Sequence, residues 1–349
     1  MASAFQHKAS SASGHNPNPL LSLGRLSNRP ELGSVIGMLT VFIFFIIAAG
    51  SVFLTPAGFA GWLNVAAEIG IVALPIGFLM IAGELDISIG AVIPASSLTL
   101  AVVSGHFGLP DIVGVIAALS FGLLVGYLNG WLVLKTQVPS LIVTIGMMFG
   151  VMGLTLGVSV LLTGSTSTAI IPGDTAQFLL GQFVGGMFQV TIFWWIAFIA
   201  VFFYVLHVSP FGNWIYALGG DRDSARNAGI PTATLTKSLF MSSGFCAAFV
   251  GVSQAMVYQS AQVAGGQAFI FNSIMCVVIG GVLLTGGFGS VVGIVVGTIT
   301  FSMVNQGIYF TDFNPNLGSI IIGALLLVAV LTNDMFRRMA LSYSSKKKG

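Results

Sequence analysis

Ten long apolar runs divide this chain of 349 residues, and none of its 12 Lys and Arg residues falls inside one of them. The runs lie at about 34–54, 65–82, 88–104, 112–134, 140–162, 189–209, 238–258, 268–285, 288–308 and 317–333. A helix that crosses a bilayer needs roughly 20 mostly apolar residues. Lys8, Arg25 and Arg29 precede the first run, and Lys135 separates the fourth from the fifth. Arg222, Arg226 and Lys237 lie between the sixth and seventh, and Arg337, Arg338 and Lys346 to Lys348 follow the tenth. If every run crosses, all of these gaps fall on one side, and the gaps on the other side hold no Lys or Arg. Basic residues stay cytoplasmic during insertion. The expected fold is an all-α polytopic membrane bundle with both termini cytoplasmic.

Composition agrees. The chain is 56% hydrophobic and 6% charged, whereas a soluble domain carries about 25% charged residues. A net charge of +2, with its basic residues already used by topology, leaves no surface for nucleic acid. Cys246 and Cys276 both sit in apolar runs and read as small buried hydrophobes, not as a disulfide or a metal site. Residues 1–33 read as a flexible polar tail with no apolar stretch of the signal-peptide kind. Residues 34–335 read as the membrane domain and residues 336–349 as a basic cytoplasmic tail. Inside the membrane domain, 163–188 is a Gly/Ser/Thr-rich external segment and 210–237 a charged cytoplasmic one. Glycines about four apart, as around Gly281, Gly293 and Gly297, let helices approach closely where lipid supplies no hydrophobic drive. Trp62, Trp131, Trp194, Trp195 and Trp214 fall near run ends, where an interfacial belt is expected.

Two polar stretches carry chemistry. Residues 219–230 read as one short helix, with Asp221 as its N-cap and Gly229, followed by Pro231, as its stop. This is either a solvated loop helix or a docking helix for a cytoplasmic partner. The other stretch is Gly83-Glu84-Leu85-Asp86-Ile87-Ser88-Ile89-Gly90, which puts two carboxylates between glycines where the chain turns back towards the membrane. Charges near hydrocarbon usually face the bundle interior or a cavity. Asp86 and Ser88 also suit a cap for the following helix, which is compatible with a turn that lines a pathway. Asn305 and Gln306, late in the ninth run, join this turn as candidate path residues. The runs contain no ladder of Asp, Glu or His to relay protons. Glu68, in the second run, is the main argument for an ion-coupled carrier. Phosphate-loop, HExxH and GxSxG patterns are all missing, so no catalytic residue is assigned.

Three of these pieces, in order, resemble the membrane permeases of ABC importers for ribose, xylose, other simple sugars and the autoinducer-2 signal. This is the branched-chain-amino-acid/sugar type of binding-protein-dependent permease. Gly83 to Gly90 match a Gly-Gly-Ile-Asp-Leu-Ser-Val-Gly-like turn, with Glu84 standing where the family's second glycine is usual. Ala217-Leu218-Gly219-Gly220-Asp221 through Ala225-Arg226-Asn227-Ala228-Gly229-Ile230 match its cytoplasmic segment. Gly280-Gly281, Gly286-Gly287-Phe288-Gly289, Gly293 and Gly297 match its glycine-rich junction. The resemblance covers roughly 35–335. It implies an inner-membrane permease subunit that pairs with a second copy or a paralogue and receives solute from a periplasmic binding protein. It also implies docking of a cytoplasmic ATPase, which uses the ATP and Mg, through Gly219, Gly220, Asp221, Arg222, Asp223, Ala225, Arg226 and Gly229. The chain itself is expected to bind no cofactor and to be no enzyme. An ion-coupled secondary transporter is the alternative.

Overall fold

The computed structural model describes residues 31–311, together with residues 320, 323, 324, 327, 328 and 331. Among the described residues, eight helices are long and apolar enough to cross a membrane: Leu32–Leu54, Pro56–Ile81, Ile89–His106, Asp111–Thr136, Ser140–Thr163, Thr191–Val208, Thr232–Tyr258 and Val291–Phe310. Their α-helical bodies are α1 (Glu31–Ala49), α2 (Pro56–Ile81), α3 (Ile89–Leu100), α4 (Asp111–Thr136), α5 (Ser140–Thr163) and α6 (Thr191–Phe203), then α9 (Thr232–Tyr258) and α11 (Val291–Gly307). Between α6 and α9 lie two short helices, α7 (Pro210–Gly220) and α8 (Arg222–Asn227), and between α9 and α11 lies α10 (Gln267–Ile279). The all-α polytopic class is as expected.

One predicted span needs correction. The run at 268–285 yields only α10, 13 residues long, or about 20 Å at 1.5 Å per residue. That is short of the roughly 30 Å of a hydrocarbon core. The chain leaves the helix at Gly280, and Gly281, Gly286 and Gly287 take positive φ, so an apolar run here encodes a half-length helix and a folded turn. Residues 1–30, the body of the predicted span at 317–333 and the tail at 336–349 lie outside the described residues.

Burial sorts the helices. The most apolar stretch of α2 is 89% buried, that of α5 only 22%. A helix apolar all round belongs in a core or a membrane, and both cases occur here. α2 runs through the centre, started by Thr55, whose Oγ1 accepts from the Gly58 N–H at 3.1 Å, and by Pro56 at its first position. α5 turns Leu154 and Leu161 outwards, a surface suited to lipid. α4 meets α9 through Gly122, Gly126 and Gly130, where an added Cβ would collide with Gly244, Phe240 and Lys237. Gly280, Gly293 and Gly297 bring α10 and α11 together in the same way. Trp62 and Trp195 are buried and not open to an interface: Trp62 lies on the central α2, and Trp195 turns its ring onto Gly70 of α2 from the largely exposed α6.

The bundle has two chemically distinct ends. Lys237 packs on Gly130, with its ammonium 5.7 Å from the Tyr127 ring. Lys135 lies 5.3 Å from Trp131, and Arg222 and Arg226 line a cleft with Gln137. The described basic residues therefore gather at one end. The opposite end carries short strands. β1 (Ser167–Ala169) pairs antiparallel with β4 (Ser260–Gln262), with Thr168 opposite Ala261. A hairpin of β2 (Phe183–Val184) and β3 (Phe188–Gln189) is clamped by Asn64, which donates to the Met187 carbonyl and accepts from the Gln189 N–H, both at 2.9 Å.

Candidate functional site at the basic end

The three glycine-bearing stretches, far apart in sequence, meet at one point of the basic end. The Gly287 N–H donates to the Ile81 carbonyl, the last residue of α2, at 2.8 Å. A Cβ on Gly219 would strike that same carbonyl and the Gly287 nitrogen, and one on Gly286 would strike the Gly219 carbonyl and press on Gly83. The turn after α2, the end of α7 and the α10–α11 junction thus touch backbone to backbone, which only residues without side chains allow. Tyr216 on α7 adds a bond from its hydroxyl to the Gly289 carbonyl at 2.6 Å.

From Gly83 the turn dips between helices. The Leu85 N–H donates to Ser140 Oγ at 3.1 Å and the Ile87 N–H to Thr144 Oγ1 at 3.2 Å, so α5 supplies the hydrogen bonds that an irregular buried segment lacks. Asp86, 2% exposed, accepts from the Ser88 N–H at 2.9 Å and the Ser88 hydroxyl at 2.6 Å. Its other oxygen accepts from the Ser243 hydroxyl of α9 at 2.7 Å. Asn129 of α4 donates to Ser88 Oγ at 2.8 Å. One carboxylate thereby joins the start of α3 to α4 and α9. Burial raises the Asp86 carboxyl above its ordinary range, and the bonds from Ser88 and Ser243 pull the other way. Asp86 does not cap α3 as expected: Ser88 is the N-cap residue, and Asp86 holds Ser88. Gly90 lies at the crossing of α3 and α10, where a Cβ would meet Ile270.

The expected single helix at 219–230 is two. α7 ends at Gly220, Asp221 is extended at φ −158° and ψ 114°, and α8 covers only Arg222–Asn227. Asp221 breaks the helix because its side chain caps the next one: Oδ1 accepts from the Ser224 N–H at 2.6 Å. The Ser224 hydroxyl first, and its N–H second, hold the carboxyl below its usual range. Gly229 closes α8 at φ +83°. Ala225 faces inwards, 3% exposed, and Gly219 is taken up by packing against Ile81, whereas Gly220, Asp221, Asp223, Arg226 and Gly229 lie on the exposed side. Asp223 and Arg226 pair at 3.1 Å. Glu84 of the buried turn pairs with Arg222 of α8, whose guanidinium also donates to Thr236 Oγ1 of α9 at 3.3 Å. Sequence reading missed this pair, together with Ser140, Thr144 and Ser243. Ser140 and Thr144, one helical turn apart just after Pro139, were the available signal.

Asn305 and Gln306 do not join the turn. Their side chains bond each other at 3.0 Å, near the end of α11, and the neighbouring Gly307 packs on Phe45. α11 starts beside the junction, which puts this pair about 20 Å away along its axis. Glu68 is also distant from the basic end, buried and accepting from Gln254 Nε2 at 2.7 Å, an arrangement that satisfies the carboxylate within the bundle.

Comparison with known proteins gives one answer. A family model described as branched-chain amino acid transport system / permease component matches residues 58–330. A fructose import permease of Rhizobium meliloti is 28% identical, over 90% of this chain and 88% of its own. A ribose import permease of Bacillus subtilis is 28% identical, over 86% and 92%. An inner membrane ABC transporter permease of Escherichia coli is 30% identical, over 76% and 80%. The chain belongs to this permease family, and is a multi-pass inner-membrane translocation subunit of an ABC transporter, not an enzyme in its own right.

Proposed function

We propose that this permease forms half of the path of a binding-protein-dependent importer for a simple sugar or a related small polyhydroxy solute. The relatives named for fructose and ribose import support the solute class, and so do apolar runs without Lys or Arg, which suit a neutral hydroxylated molecule. A periplasmic binding protein delivers solute to the strand-bearing end. A cytoplasmic ATPase, which binds the ATP and Mg, docks on the exposed side of α8 through Asp223 and Arg226. The observation that carries this reading is the backbone junction of Ile81, Gly219 and Gly287. A load placed on α7 and α8 passes there directly into α2 and into the α10–α11 turn, so a small docking helix moves whole spans as rigid bodies.

A second copy or a paralogue supplies the other half. Gly146, Gly150, Gly153 and Gly157 of α5 support pairing, since they meet nothing within 4 Å and leave a small-residue strip that a facing helix can approach. The path residues are Gly83, Glu84, Asp86, Ser88 and Gly90, at its cytoplasmic end. The test is purification of the tagged chain from its host in mild detergent. A P-loop ATPase co-purifies, and an Arg226→Glu change with normal abundance loses it. A chain that purifies alone and transports solute on an ion gradient sinks the reading in favour of a secondary carrier dependent on Glu68.

A further inference from the structure

The Glu84–Arg222 ion pair has no part in shaping either of the elements it joins. The turn is already held by Ser140, Thr144 and the Asp86 network, and α8 by its Asp221 cap and Gly229 stop. What the pair adds is a polar link between them. The Glu84 side chain is 9% exposed and that of Arg222 is 42% exposed, so the acid is the buried partner and the base reaches in from the surface helix. A buried carboxylate that loses its partner is costly, which makes the link stiff: if α8 moves, Glu84 follows in preference to being left alone.

Glu84 cannot follow by itself. Leu85 and Ile87 are tied to α5 on either side of Asp86, and Asp86 is tied to α9, so displacement of Glu84 loads the whole network at the start of α3. Arg222 meanwhile stands at a cleft of about 670 Å³ whose lining includes Glu84, Val138, Asp223 and Arg226, which leaves α8 room to shift against the α4–α5 turn.

We propose that Glu84 and Arg222 form a strut that carries movement of α8 into the Asp86 network, and that both are positioning residues for translocation. The proposal rests on the reading that an ATPase docks on α8. Its test is hydrogen exchange of peptides covering residues 83–90 in the complex of this chain with its ATPase, without nucleotide and trapped with a non-hydrolysable ATP analogue. In the wild type, exchange in the turn differs between the two states by roughly fivefold or more, the low end of ordinary coupling between sites. Glu84→Ala abolishes that difference, and the reversed pair Glu84→Arg with Arg222→Glu restores it. A purely structural role predicts faster exchange in both states with the difference preserved, and that result overturns the strut. So does failure of the reversed pair to restore the difference while its ATPase still co-purifies. Absence of any ATPase from the wild-type preparation instead overturns the docking reading, and the strut with it.

Discussion

Replacing Asp86 by Ala removes the acceptor of three short bonds, two from Ser88 at 2.9 and 2.6 Å and one from Ser243 at 2.7 Å, and of a long one from Asn129 at 3.5 Å. Bonds to a charged group contribute about 1.5–3 kcal/mol each, so the gross loss is about 4.5–9 kcal/mol. Relief of the buried carboxylate's desolvation, several kcal/mol, offsets part of this. A net destabilisation of about 3–5 kcal/mol remains, because the Ser88 and Ser243 donors are left unpaired in a buried site. Ser243→Ala removes a single bond and costs about 2 kcal/mol. In the Asp86→Ala background the same change removes nothing that still exists, so its cost shrinks and the two substitutions couple by about 1.5 kcal/mol. Unfolding in mixed micelles with rising SDS, followed by tryptophan fluorescence, gives all four free energies of the cycle. Additivity within about 0.5 kcal/mol, the behaviour of independent sites, refutes the network as the link between the turn and α9.

Adjacent glycines give a sharp contrast. Gly219→Ala pushes a Cβ into the Ile81 carbonyl, while Gly220→Ala meets nothing within 4 Å. The first costs about 3 kcal/mol, the upper end for overpacking, and the second is neutral or slightly stabilising; thermal melts in detergent separate them. The Asp221 carboxyl titrates below its unfolded value, so its cap is fully present above the ordinary carboxylate pKa of about 3.9 and is lost as pH falls through the folded value. The Ser224 amide shift should therefore stay constant from about pH 7 to 5 and move only below about pH 4, with no such step in Asp221→Asn. Gly150→Leu, on the open strip of α5, should leave the melting of the single chain unchanged and weaken association of two copies in crosslinking; unchanged association removes that strip from the interface.

Spans were legible because lipid demands about 20 apolar residues in a row, a local property that a run such as 112–134 displays directly. The same demand hides depth and length. An apolar run at 268–285 looks alike whether it crosses or stops after 13 residues; here the chain turns with positive φ at Gly281, Gly286 and Gly287, and the last two close onto Gly219 and Ile81. Trp62 and Trp195 misled for a related reason. Position within a span does not say which face a neighbouring helix covers, and Trp195 sits on the face of α6 that meets Gly70. The capped helix was half legible: Asp221 and Gly229 announced a start and a stop, but the break between α7 and α8 needed the side chain of Asp221 to turn back on Ser224.

The candidate site was visible as pieces and not as a site. Asp86 and Ser88 stood out as polar residues between glycines, yet their partner Ser243 is 157 residues from Asp86, and Arg222 is 138 residues from Glu84. Such pairings are set by how helices pack, and the backbone junction of Gly83, Gly219 and Gly286 lies beside the Glu84–Arg222 pair. Asn305 and Gln306, late in the ninth run, were candidate path residues alongside the turn, and the sequence alone set no distance between the two. Their helix starts at the junction and carries them away from it.

In the proposed mechanism this permease moves a sugar only when an ATPase drives it from the basic end. The most direct measurement is uptake of radiolabelled ribose and fructose by proteoliposomes holding the chain with its co-purified ATPase and binding protein. Accumulation should require internal Mg-ATP and both partners, and be lost with Arg226→Glu. Accumulation by the chain alone, driven by a proton or sodium gradient and abolished by Glu68→Gln, would contradict that mechanism.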